Sequence, residues 1–107
     1  MKNEFSKQDY ISYLIGLKGT VFKIIPLCQH KNEFFHNYVD SLLTFELYGV
    51  GFPIRNLPHD IWYQKTIAVI EGIYRQPLVF DDFKKVRKEI LNLLRLIDLQ
   101  INQLKGE

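Results

Sequence analysis

"DDFKKVRKEILNLLRLIDLQINQL", residues 81–104, decides the fold. Laid on a wheel at about 100° per residue, Phe83, Val86, Ile90, Leu93, Leu94, Ile97, Ile101 and Leu104 gather into one apolar stripe. That is the signature of a helix with one covered face. Lys84, Lys88, Asn92, Arg95 and Asn102 fall on the far side, where a packed helix meets water. Asp81 is placed to cap the start and Gly106 to follow the last turn. The helix expected over 81–105 is the longest in the chain, roughly 36 Å at 1.5 Å per residue.

Upstream, the same periodicity recurs in three further segments. Ser6-Lys7-Gln8-Asp9 has the spacing of a capping box, and Tyr10, Leu14, Leu17, Val21, Ile25 and Cys28 then repeat at intervals of three and four. This predicts a helix over 6–30, with a kink or a new turn where Pro26 removes a backbone donor. Gly16 and Gly19 lie with Ser12 on the side opposite Leu14. Two readings of them stand: a smooth face for close approach of another backbone, or the end of the helix. Asn32 is the expected cap of a second helix over 33–48, striped by Phe35, Tyr38, Leu42 and Phe45 and closed by Gly49. "GVGFPIRNLP", 49–58, reads as a loop. Pro58 suits the first turn of a third helix over 59–75, which Pro77 stops. No stretch alternates long enough for a sheet. The expected architecture is all-α, one helical domain over 1–107, an antiparallel four-helix bundle with a long C-terminal helix and a kink at Pro26.

Composition agrees with a folded core. The 107 residues are 47% hydrophobic and 24% charged, with eight Phe and six Tyr to fill an interior, so disorder is not expected. A formal charge of +2 neither requires nor excludes nucleic acid. Cys28 is the lone cysteine, which excludes an intramolecular disulfide or a thiolate cluster and reads as a small buried hydrophobe. The N-terminal "MKNEFSKQDY" is polar, and uncharged runs fall short of the ~18 residues a span requires. The expectation is a cytoplasmic protein with no membrane partner.

Chemistry-bearing patterns are sparse. Glu33-Phe34-Phe35-His36 has the spacing found in di-iron bundles, with Asp40 one turn on, yet such sites use two copies and only one is present. It reads as a surface histidine. Gly49-Val50-Gly51 lacks the third glycine of a dinucleotide loop. Trp62-Tyr63 reads as a helix anchor before a base-stacking platform. No catalytic residue, metal or cofactor is expected. Lys84, Lys85, Arg87 and Lys88 stand against Asp81, Asp82 and Glu89, and read as a solvated face, with nucleic-acid contact as the alternative. Leu99 falls opposite the core stripe and Leu96 well off it. Leucines on the back of a helix predict a docking surface. With Ser12, Gly16 and Gly19 they are the candidate contacts of a protein-interaction module, a homo-oligomer or one bound to another protein.

"YLIGLKGTVFKIIPL" (13–27), "YVDSLLTFELYG" (38–49) and "FKKVRKEILNLLRLID" (83–98) together resemble small uncharacterised all-helical proteins of Gram-positive bacteria and their prophages or mobile elements. The resemblance implies an intracellular accessory protein and transfers no catalytic residue.

Overall fold

In the computed structural model, which describes residues 6–50 and 61–106, every regular element is helical. The order is α1 (Lys7–Phe22), α2 (Ile24–Gln29), α3 (Phe35–Ser41), a π-helical segment (Leu42–Val50), α4 (Ile61–Arg75), a 3₁₀ turn (Val79–Asp82) and α5 (Phe83–Gly106). The chain is all-α.

α1 starts where its sequence says. Ser6 Oγ accepts the Asp9 N–H at 3.0 Å, and the Asp9 carboxylate accepts the Ser6 N–H at 3.3 Å, completing a capping box. The helix passes through Gly16 and Gly19 unbroken, so the reading that ended it there is overturned. Its break comes at Lys23. Pro26 has no N–H to offer the Phe22 carbonyl four residues back, and the chain re-forms as α2. Nearby, the Tyr38 hydroxyl donates to the Thr20 carbonyl at 2.6 Å.

α2 ends in a Schellman motif. Asn32 N–H bonds the Leu27 carbonyl at 3.0 Å and Lys31 N–H the Cys28 carbonyl at 3.1 Å. Lys31 takes the left-handed position with φ 49°, a place glycine usually fills and a side chain occupies at a cost of roughly 1–2 kcal/mol. Asn32 therefore does not cap α3 as expected. Its Oδ1 accepts from Phe34 N–H at 2.8 Å, closing a turn one residue earlier.

Gly49 also differs from expectation. It lies inside the π segment, not after a helix end, and a Cβ there would sit 3.2 Å from the Thr44 carbonyl oxygen. The wide π turn brings that carbonyl close, which suits a residue without a side chain. Carbonyls in a final helical turn want donors, and two tyrosines supply them. Tyr13 donates to the Glu46 carbonyl at 2.6 Å and Tyr63 to that of Leu47. Asp81, the expected cap of the last helix, lies within the 3₁₀ turn that precedes it. The 51–58 loop and the expected start of the third helix at His59 fall outside the described residues.

The core draws on every helix. Tyr10, Ile11, Leu14, Leu17 and Val21 of α1 meet Phe35 and Val39 of α3, Leu42, Leu43 and Leu47 of the π segment, Trp62, Tyr63, Ile70 and Ile73 of α4, and the full stripe from Val86 to Leu104. Each such aliphatic side chain contributes about 1.5–3 kcal/mol when fully buried. Two polar residues share this interior. Thr66 bonds back to the Trp62 carbonyl at 2.7 Å and is satisfied. Gln100, 6% exposed, has an amide nitrogen with no partner. A buried donor left unpaired costs about 1–3 kcal/mol. Gln100→Leu, similar in size, is expected to stabilise the fold by about 1 kcal/mol, read as a higher urea midpoint with unchanged slope. A lower midpoint would mean that the amide has a native partner.

Candidate docking surface

A groove runs along the outside of the α4–α5 contact. Lys65, Ala68 and Val69 of α4 face Glu89, Asn92, Leu93 and Leu96 of α5 around a hollow of about 370 Å³. A second hollow of about 240 Å³ shares Ala68, Val69 and Glu89 and continues to Gly72, Gln76 and Lys85. The floor is shallow because α4 brings small side chains to it. Ile61, Lys65, Ala68 and Gly72 recur at intervals of four and three, one strip of the α4 surface.

The two leucines singled out by sequence differ in role. Leu96 is half-buried, packed on the core and forming one wall of the groove. Leu99, three residues on and so on the neighbouring arc of α5, stands 61% exposed. Ile61, at the start of the α4 strip, is 66% exposed. Leu91, at the stripe's edge, packs partly on the core. An apolar knob thus stands within one helical turn of an apolar hollow.

Ser12, Gly16 and Gly19 form an outward face of α1. A Cβ built on either glycine meets nothing within 4 Å, so no other part of the described chain covers them. They are not drawn into the groove with Leu96. Lys18, on α1, forms an ion pair with Asp98 of α5 at 2.5 Å. With both side chains substantially exposed, the pair adds little stability and serves to mark which flanks meet.

Lys84, Lys85, Arg87 and Lys88 are all exposed. Lys85 turns toward the groove, beside Gln76 and Glu89. The helix-surface histidine His36 stands among rings, 5.3 Å from Phe35, 6.2 Å from Phe80 and 6.3 Å from Tyr74. Glu33 and Asp40 are exposed near it in sequence, and no group of three or more potential metal ligands forms among the described residues. Trp62 and Tyr63 are buried and present no stacking face.

Burial shapes the titrating groups. It pushes the Tyr13 phenol well above its ordinary range, helped by nearby Tyr63 and Glu46, and raises Tyr38 in the same way. The Tyr48 phenol is raised chiefly by donating to Glu71. Burial also raises the Cys28 thiol, which donates weakly to the Val79 carbonyl at 3.7 Å and so remains a poor nucleophile.

Lys7–Gln29 has the length and apolar composition of a membrane-crossing segment. In the fold its apolar side chains Tyr10, Leu14, Leu17 and Val21 are spent on the core.

Sequence reading missed Ala68, Val69 and Gly72, whose signal was a strip of small residues on one arc of α4. No protein-family description, curated protein or solved structure matches the chain.

Proposed function

We propose that the chain is a non-enzymatic helical interaction module that associates with a second copy of itself through the α4–α5 groove and Leu99. We read its helices as an antiparallel four-helix bundle bent near Pro26. The pairs Lys18–Asp98, Cys28–Val79 and Gln76–Asp82, together with Lys65 beside Leu96, support that reading.

The observation that carries the proposal is the adjacency of knob and hollow. A two-fold interface needs a patch that complements itself, so that each residue meets its counterpart's neighbour. Leu99 projects one turn from the hollow lined by Ala68, Val69, Leu93 and Leu96. A two-fold rotation seats each Leu99 in the other copy's hollow, and Ile61 closes the apolar rim. Charges in the groove suit the same rotation, since Glu89 and Lys65 line it together and offer each copy a counter-charge. The smooth Ser12-Gly16-Gly19 face remains outside this contact.

Light scattering across protein concentration tests it. The mass is expected to rise from 12.7 kDa toward twice that value. Leu99→Glu is expected to hold the protein at the smaller mass with its helical circular dichroism unchanged, because the side chain touches solvent in one copy alone. A wild-type protein that stays monomeric at millimolar concentration defeats the reading.

A further inference from the structure

The charges of this chain are sorted by element. Residues 32–50, from the start of α3 through the π segment, hold Glu33, Asp40 and Glu46 and no Lys or Arg. Residues 83–106, the whole of α5, hold Lys84, Lys85, Arg87, Lys88, Arg95 and Lys105 against Glu89 and Asp98. A modest net charge thus hides an uneven distribution of charge among the helices.

The cations occupy the outer half of α5. Lys84, Lys88 and Arg95 follow at intervals of four and seven residues and stand on one arc of α5. Arg87 lies eleven residues, about three turns, before Asp98 and so on the same arc as it. Asp98 is the residue that meets Lys18 of α1, so the Arg87 arc adjoins α1, while Lys84, Lys88 and Arg95 stand further round, on the outer side opposite the core stripe. The contact of Cys28 with the Val79 carbonyl extends the meeting to α2 and the approach to α5.

On α1, Phe22 stands one turn beyond Lys18 and is 50% exposed, and Lys23, next in sequence, is exposed. Lys23, Lys84, Arg87 and Lys88 have no ion-pair partner among the described residues, and Arg95 bonds only to Asn92. The acid on this seam, Asp98, is already taken by Lys18. Asp82 is held by Gln76, leaving Asp81 and, in the α4–α5 groove, Glu89 as the other acids near the start of α5.

We infer that the outer face of α5 carrying Lys84, Arg87, Lys88 and Arg95 binds the phosphodiester backbone of nucleic acid. Unpaired cations over roughly 16 Å of helix match a row of several phosphates. A neutral or cationic partner would find no counter-charges here. Lys88 and Arg95 lie eleven and four residues before Leu99, on its arc of α5, so this face abuts the self-association surface.

Fluorescence anisotropy with labelled single-stranded and duplex DNA of equal length tests it. Four phosphate contacts predict a loss of about 50- to 150-fold in affinity between 50 and 200 mM salt. Lys84→Glu with Lys88→Glu is expected to weaken binding at least ~10-fold at low salt and flatten the salt slope by about 1.5. Acids in the first turns of α5 suit the helix dipole, so the variant folds, which circular dichroism verifies. Arg75→Glu, on α4 away from this face, is expected to leave binding unchanged. Absence of binding to either DNA at low salt overturns the inference, as does binding that ignores the double reversal or Arg75→Glu binding that falls equally. Capture by anionic phospholipid vesicles with none by DNA overturns it too.

Discussion

Trp62→Ala is expected to lower stability by about 3–5 kcal/mol, the range for emptying a large aromatic site in a core. Trp62 is buried to its edges, and its indole N–H donates to the Tyr10 hydroxyl at 2.5 Å. Three rings surround it: Tyr10 at 6.3 Å, Tyr13 at 6.2 Å and Tyr63 at 5.6 Å between centroids. Those tyrosines do more than fill space. Tyr13 and Tyr63 donate to the closing carbonyls of the π segment, so a hollow at Trp62 loosens the groups that terminate a second element. A small domain holds only 5–15 kcal/mol in total, so about 3–5 removed leaves it near the edge. The melting temperature should fall by roughly 12–25 °C. Trp62→Phe keeps most of the volume and loses the donor, and should cost about half as much or less. If Trp62→Ala cost under about 1 kcal/mol, the site would be one that collapses freely, and the tyrosine frame would not depend on it.

The parts of this fold that were legible in the sequence are those set by a strong local rule. Val86, Ile90, Leu93, Ile97, Ile101 and Leu104 are buried because apolar positions at helical spacing leave no other face to cover. Ser6 caps α1 because hydroxyl and carboxylate fall at the one spacing that serves both orphan donors. What escaped was set by competition between equivalent groups. Asn32 and Asp81 were both fit to cap a helix, yet each lies one or two residues too early, held by a turn whose geometry depends on its neighbours. The π segment was hidden because Leu42, Leu43 and Leu47 are apolar under either helical pitch, and only the tyrosines across the core distinguish the two.

The candidate surface was legible to the same degree. Leu99 could be found from α5 alone, since its position on the wheel needs no partner. Whether Leu96 was buried or free depended on α4, and the hollow beside it depends on Ala68 and Gly72, residues that carry no signal beyond being small. A groove is a property of two helices at once, and periodicity within one helix does not contain it. The charge sorting between α3 and α5 was in the sequence throughout; Lys18–Asp98 adds which flank of α5 adjoins α1.

Phe35→Ala is expected to cost about 3–5 kcal/mol while His36→Ala, its neighbour, costs under about 1 kcal/mol. The pair tests what the "EFFH" motif is for. Phe35 is wholly buried, with Phe80 at 5.3 Å and 70° and His36 at 5.3 Å and 85°, both edge-on. Such ring pairs add about 0.5–1.5 kcal/mol beyond burial, and here one of them ties α3 to the segment leading into α5. Truncating Phe35 leaves Phe80 facing a void and frees that segment. His36 lies on the exposed side of the same ring and loses only an edge contact on truncation. Urea unfolding of the two variants separates the possibilities. A motif that works by packing gives the large loss at Phe35 alone. A motif whose stability rests on ligation through Glu33, His36 and Asp40 would give His36→Ala the larger loss, abolished by chelator in the wild type, and the packing account of α3 would then be wrong.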